Sequence, residues 1–94
     1  MQVEWSKNAL ADFDDIATYL SRENPTAAAR FSGQMFNDVE RLALFPAMGR
    51  EGRIIGTREW ISKSGSYVIP YRVRNGKLQV LAIFPTRRAS PFKG

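Results

Sequence analysis

The chain has 94 residues, 44% of them hydrophobic, with 14 basic and 9 acidic side chains and a formal charge of +5. It contains neither cysteine nor histidine, which excludes disulfides, thiolate and imidazole metal sites and a histidine acid–base. No metal or cofactor is therefore expected. Its length allows one domain around one modest core, since typical domains run to roughly 100–150 residues.

The first five residues, Met-Gln-Val-Glu-Trp, lack the positive start and apolar run of a secretory signal. No stretch approaches the ~20 apolar residues that a membrane span needs. A soluble, cytoplasmic protein is the expectation. A short strand is predicted over residues 2–5, followed by Ser6 as a helix N-cap, its hydroxyl placed to accept from an amide one turn on. Leu10, Phe13, Ile16 and Leu20 then recur at helical spacing, and Asp12, Asp14 and Asp15 lie in the first half of the helix, where the dipole favours acids. Pro25 stops that helix. A second helix is predicted over residues 26–44, with Ala28, Phe31, Met35, Val39 and Leu42 as its inner stripe, so the two form an antiparallel hairpin.

Residues 46–57 read as a loop by their three glycines. Beyond it the period becomes alternating, which predicts strands over 58–63, 67–74 and 78–84, separated by Ser64-Gly65-Ser66 and Asn75-Gly76-Lys77. In the middle strand, Tyr67, Ile69, Tyr71 and Val73 share the face expected beneath the helices, and Val68, Pro70, Arg72 and Arg74 the open face. The fold class is α+β, in the order β-α-α-β-β-β: a helical hairpin packed on one face of a small curved, mainly antiparallel sheet.

The charge is lopsided. Residues 46–94 carry ten bases and two acids, whereas residues 1–45 carry four and seven. Such a half is built to meet phosphates or an acidic partner. Its arginines form three groups: Arg50, Arg53 and Arg58 about the glycine loop, Arg72 and Arg74 on the open face, and Arg87 and Arg88 beyond the last strand. Gathered in one concavity, their planar forks would suit phosphate oxygens. Trp60, Tyr67, Phe84 and Phe92 are interleaved with them as candidate stacking platforms for bases. Tyr67 and Tyr71 fit a core better than an acid–base role, and Glu59 fits an ion pair with a neighbouring arginine.

Several segments carry a resemblance when taken in order. They are Val3-Glu4-Trp5-Ser6, the helix pair split by Asn24-Pro25, Gly49-Arg50-Glu51-Gly52-Arg53, Gly56-Thr57-Arg58-Glu59-Trp60, Tyr67-Val68-Ile69-Pro70-Tyr71-Arg72-Val73 and Thr86-Arg87-Arg88. Together they resemble the RelE/ParE superfamily of bacterial type II toxin–antitoxin modules, also described as plasmid-stabilisation proteins. The resemblance implies a toxin that arrests growth, held in a hetero-oligomer with a cognate antitoxin. It also implies one of two targets. RelE-like members cut mRNA on the ribosome, the reading taken first here; ParE-like members poison DNA gyrase without nuclease chemistry, the alternative.

For RelE-like cleavage the resemblance assigns catalysis to Arg87 and Arg88. The grouping of the basic residues itself points to Arg50, Arg53, Arg58, Lys63, Arg72 and Arg74 for target or nucleic-acid binding. Glu59 and Ile61 stand where such enzymes carry lysines, Val68 where they carry an arginine, and no tyrosine follows the last strand.

Overall fold

The computed structural model describes residues 1–86. Strand β1 (Gln2–Trp5) leads into helix α1 (Lys7–Glu23) and helix α2 (Pro25–Leu44). Ser6 caps α1, its Oγ accepting the Ala9 N–H at 3.0 Å. Asn24 makes the sharp joint: its backbone N–H still bonds the Leu20 carbonyl, while its side chain accepts from Thr26 and Ala27. Pro25 occupies the first helical position, where a missing N–H costs nothing.

A 3₁₀ turn, Pro46–Met48, follows α2, and then come β2 (Arg50–Glu51), β3 (Arg58–Ile61), β4 (Tyr67–Arg74), β5 (Lys77–Val80) and β6 (Phe84–Pro85). The sheet order is β1-β5-β4-β3-β2, with β6 also pairing β4. All pairings are antiparallel except β1 with β5, where Gln2–Trp5 run parallel to Lys77–Val80. Asn75 (φ 54°) and Gly76 (φ 71°) form the tight β4–β5 turn, both in the left-handed region such a two-residue connection demands.

Two short strands depart from the sequence expectation. β2 arises inside the predicted loop, where Arg50 and Glu51 pair with Glu59 and Arg58. The predicted strand over 78–84 is broken at residues 81–83, and Pro70 is the cause. Leu81 donates its N–H to the Pro70 carbonyl at 2.9 Å, but Pro70 has no N–H to return. The Leu81 carbonyl instead accepts from Ser6 Oγ (3.1 Å) and Asn8 Nδ2 (3.3 Å), and the Ile83 N–H turns to Asp12 Oδ2 at 2.9 Å. Pairing resumes with Val68 opposite Phe84, one residue out of the earlier register, as in a bulge.

The core lies between the helices and one face of the sheet. Phe31, Met35, Val39 and Leu42 of α2 meet Ile69, Tyr71, Leu78 and Val80 there, and Ile83 joins them from the broken segment. In α1 the inward stripe is Ala9, Phe13, Ile16, Ala17 and Leu20. Leu10, expected inward, is 55% exposed, because one helical step of about 100° separates it from Ala9. Val68, expected on the open face, is buried, with Phe84 and Ile61 as its cross-strand neighbours. Val73, expected beneath the helices, is half-exposed.

Candidate functional site

The open face of the sheet is read from its cross-strand rows. Arg50, Glu59 and Pro70 form one row, and Arg72, Gln79 and Glu4 another. Arg74, Lys77 and Gln2 form a third at the hairpin end. Most of the cations are tied to acceptors within the chain. Glu59, buried, holds Arg50 Nη2 at 3.2 Å and Arg53 Nε at 3.6 Å, and also accepts the Arg53 backbone N–H at 3.3 Å. One carboxylate thereby fixes both ends of the Gly52–Arg53 corner.

Arg72 Nε donates to Gln79 Oε1 at 2.7 Å, and Gln79 Nε2 donates to Glu4 Oε1 at 2.6 Å, with Lys77 Nζ 3.9 Å from the other Glu4 oxygen. This relay runs across β4, β5 and β1. Arg74 is exposed at the end of β4.

Two of the sequence-predicted site residues lie elsewhere. Arg58 belongs to the helix-side row of Tyr71 and Val80, and its Nη1 donates to the Gly49 carbonyl at 2.8 Å. It nevertheless shares with Arg72 a hollow of about 340 Å³ at the edge where β4 outruns β3. Lys63 leaves the sheet and lines a separate hollow of about 760 Å³ along α2, with Arg30, Gly33, Asp38 and Arg41. The structure thus gathers Arg50, Arg53, Arg72 and Arg74 on the open side, brings Arg58 to its rim, and sets Lys63 apart. Arg87 and Arg88 lie outside the described residues.

Of the interleaved aromatics, Trp60 and Tyr67 turn to the core side, whereas Phe84 pairs with Val68 on the side of Pro70. Trp60 and Tyr67 pack against the core cluster, Tyr67 with its ring 5.0 Å from Phe31, and Phe84 is buried. Phe92 lies outside the described residues. Phe84 is buried, and Trp60 and Tyr67 are partly buried with their rings packed on the core, so none of the three stands as a free stacking platform.

Two further residues, Tyr71 and Gly49, organise the site. The buried Tyr71 hydroxyl donates to the Pro46 carbonyl at 2.6 Å and accepts the Gly49 N–H at 2.8 Å, which fastens the end of α2 to the sheet just before Arg50. Gly49 has to be glycine, since a Cβ there would fall against the Tyr71 hydroxyl and ring. Burial pushes the Tyr71 phenol above its ordinary 10.0, opposed by the Gly49 N–H and by Arg58.

Asp38, 5% exposed, interrupts the apolar stripe of α2, and among the described residues its Oδ2 and the Trp60 Nε1 have no hydrogen-bond partner. Burial raises its carboxyl above the ordinary 3.8, and Trp60, Arg41 and Lys63 offset this only in part. An acid between Met35 and Val39 was the sequence signal for it. Ile54 and Ile55, both exposed, cap the loop between β2 and β3. Two bulky aliphatic residues inside a glycine-bounded loop were the signal there. Among the described residues no helix is long and apolar enough to cross a membrane, and no cluster of three acidic, His or Cys side chains is placed to hold a metal ion.

Comparison with known proteins narrows what such a face serves. Residues 3–90 match the family described as "ParE toxin of type II toxin-antitoxin system, parDE". A protein of Sinorhizobium fredii (strain NBRC 101917 / NGR234) named "Putative toxin Y4kP" is 34% identical over 90 residues, spanning 96% of this chain and 93% of its own. A solved structure titled "Chromosomal ParDE TA system from P. aeruginosa" superposes with a TM-score of 0.80 at 24% identity. It covers 90% of this chain and 95% of its own, a likeness of fold.

Proposed function

The chain belongs to the ParE toxin family of type II toxin–antitoxin systems, and on that premise we propose that it poisons DNA gyrase by binding it and does not cut mRNA. The family pairs such a toxin with an antitoxin, so a hetero-oligomer with a cognate antitoxin is the resting form. The reading taken first from the sequence, RelE-like cleavage, yields here to its alternative.

The observation that carries this reading is the match of residues 3–90 to the ParE toxin family, and the commitment of the described guanidinium groups supports it. A nuclease needs its cations free to meet charge as it develops on a phosphate. Among the described residues, Arg50 and Arg53 are instead bound to Glu59, Arg58 to a backbone carbonyl and Arg72 to Gln79, while Arg74 is exposed and the assigned catalytic pair, Arg87 and Arg88, lies outside them. Lys63 lies on the α2 side of the molecule. Arginines held in this way make a stiff, charged docking face, which is what recognition of a protein surface requires.

The test sets purified chain against gyrase with relaxed DNA and ATP, and separately against ribosomes translating a defined mRNA. Lost supercoiling, with broken DNA accumulating and the mRNA intact, is the expected outcome. Cut mRNA beside fully active gyrase overturns it.

A further inference from the structure

We propose that the Ile54–Ile55 tip of the β2–β3 loop is the element that seats this toxin in its target, by entering an apolar pocket rimmed with carboxylates on the target protein. The proposal rests on the reading that the target is a protein.

Ile55 is 99% exposed and Ile54 53%. Single exposed aliphatic residues are ordinary on protein surfaces; a stapled pair is different. The loop is closed by Gly52 N–H to the Thr57 carbonyl (2.8 Å), Thr57 N–H to the Ile54 carbonyl (3.1 Å) and Thr57 Oγ1 to that same carbonyl (2.6 Å). Its base is held by Glu59 through the backbone and side chain of Arg53. A slack loop would relax until its isoleucines found cover. This one is braced so that Ile55 stays in water, although a mainly apolar hollow of about 180 Å³ lies beside it, lined by Ile54, Pro70, Leu81, Ala82 and Phe84 among others. A preorganised apolar projection loses little freedom on docking, so burying it favours association almost in full.

The surroundings select the partner. Arg53 adjoins the tip in sequence and Arg50 stands at the base of its loop on the open side, where Arg72 and Arg74 continue the positive face along β4, while Arg58 follows the loop on the helix-side row. Of the two local acids, Glu59 is buried beneath the arginines and Glu51 is exposed. An apolar socket ringed by Asp or Glu on a protein complements both the isoleucines and that positive rim. A nucleic acid would complement the arginines but offers an aliphatic tip only a pried-open base step or a thymine methyl, a contact that the bare-DNA arm of the test reads. The exposed aromatics among the described residues, Tyr19, Phe36 and Phe45, belong to the helices and the turn after them.

The experiment compares full-length wild type with Ile55→Asp and Ile55→Ala. It reads growth arrest on expression, inhibition of gyrase supercoiling, binding to the cognate antitoxin, binding to bare DNA, and the melting temperature. Ile55 touches no core residue, so the melting temperature and antitoxin binding are expected to stay at wild-type values. The concentration for half-inhibition should rise roughly ten- to a hundredfold for Ile55→Asp, as expected for losing one buried isoleucine, and growth arrest should fade with it. Ile55→Ala should fall between. Arrest and inhibition within twofold of wild type overturn the proposal. So does a parallel loss of antitoxin binding, which makes the tip part of that interface, or of DNA binding, which makes it a nucleic-acid contact. Should wild type arrest growth yet leave gyrase active, the gyrase reading fails alone. The growth-arrest comparison then still decides the tip: arrest lost in Ile55→Asp upholds it, arrest kept overturns it.

Discussion

Removing a single oxygen, Tyr71→Phe, tests the joint that holds the arginine loop to the sheet. The ring stays, so no cavity opens; two hydrogen bonds go, one at 2.6 Å to the Pro46 carbonyl and one at 2.8 Å from the Gly49 N–H. Each is worth about 0.5–1.5 kcal/mol, and a buried donor left without a partner costs about 1–3 kcal/mol, so a loss near 2 kcal/mol is expected. In a domain of this size that lowers the melting temperature by about 8–16 °C. Thermal unfolding followed by circular dichroism reads it, with a urea series confirming that the midpoint falls while the slope holds. Gly49→Ala drives a methyl group against the same hydroxyl, so in the double variant the two penalties should sum to less than their separate values. The pH response has a definite sign as well. The folded state holds the Tyr71 proton more tightly than the unfolded chain does, so that stability is whole below about pH 10 and is lost as the pH rises through the higher folded value. Tyr71→Phe removes this part of the alkaline decline, and Tyr67, raised by its own burial, supplies what remains. A melting temperature within 2 °C of wild type would refute the reasoning, for the hydroxyl would then be fastening nothing.

Asp38→Asn is expected to stabilise the protein at neutral pH. The raised carboxyl favours folding fully below 3.8 and loses that contribution as the pH rises through its folded value, so the gap in favour of the variant should widen from pH 3.5 to 7 in urea titrations. A gap that widens on acidification contradicts the assignment. Glu59→Gln keeps the shape but drops the charge between two half-exposed arginines, for a loss of about 1–2 kcal/mol. Amide exchange at Arg53 should quicken, since its N–H loses a carboxylate acceptor; unchanged protection there argues against Glu59 as the clamp. Ser6→Ala removes both the α1 cap and one donor to the Leu81 carbonyl, at about 1–2 kcal/mol by urea midpoint. Asn8→Ala, which takes the other donor and a long, exposed contact to Asp12 but no helix cap, should cost less, and the reverse ranking would contradict the bulge account.

The helices and most of the sheet were legible because their signals are local. Spacing of three and four, the Ser6 and Asn24 caps and the Asn75-Gly76 turn each act within a few residues. The stripe slipped at Leu10 because periodicity alone does not distinguish neighbouring positions at a helix end, and tertiary contact chose the smaller Ala9. The break at residues 81–83 was written in Pro70, but only a reader who already knew which strand faces it could have used it. Alternation gave Arg72 and Arg74 their side of the sheet. It had no purchase on Arg58 or Lys63, whose directions depend on carbonyls released at the end of α2 and on the strand ending at Ile61. Ile54, Ile55 and Asp38 left only faint signals as letters, since exposure and a missing partner exist only once the chain is folded.

The parallel ladder between β1 and β5 joins Val3 to Leu78, nearly opposite ends of the described chain. A pairing so distant in sequence is slow to form, because a long loop must close before any contact rewards it. Within the described chain, Gln2–Trp5 is synthesised well before β5, the one strand it pairs with there. A nascent chain therefore lacks this edge of its sheet until β5 has been made.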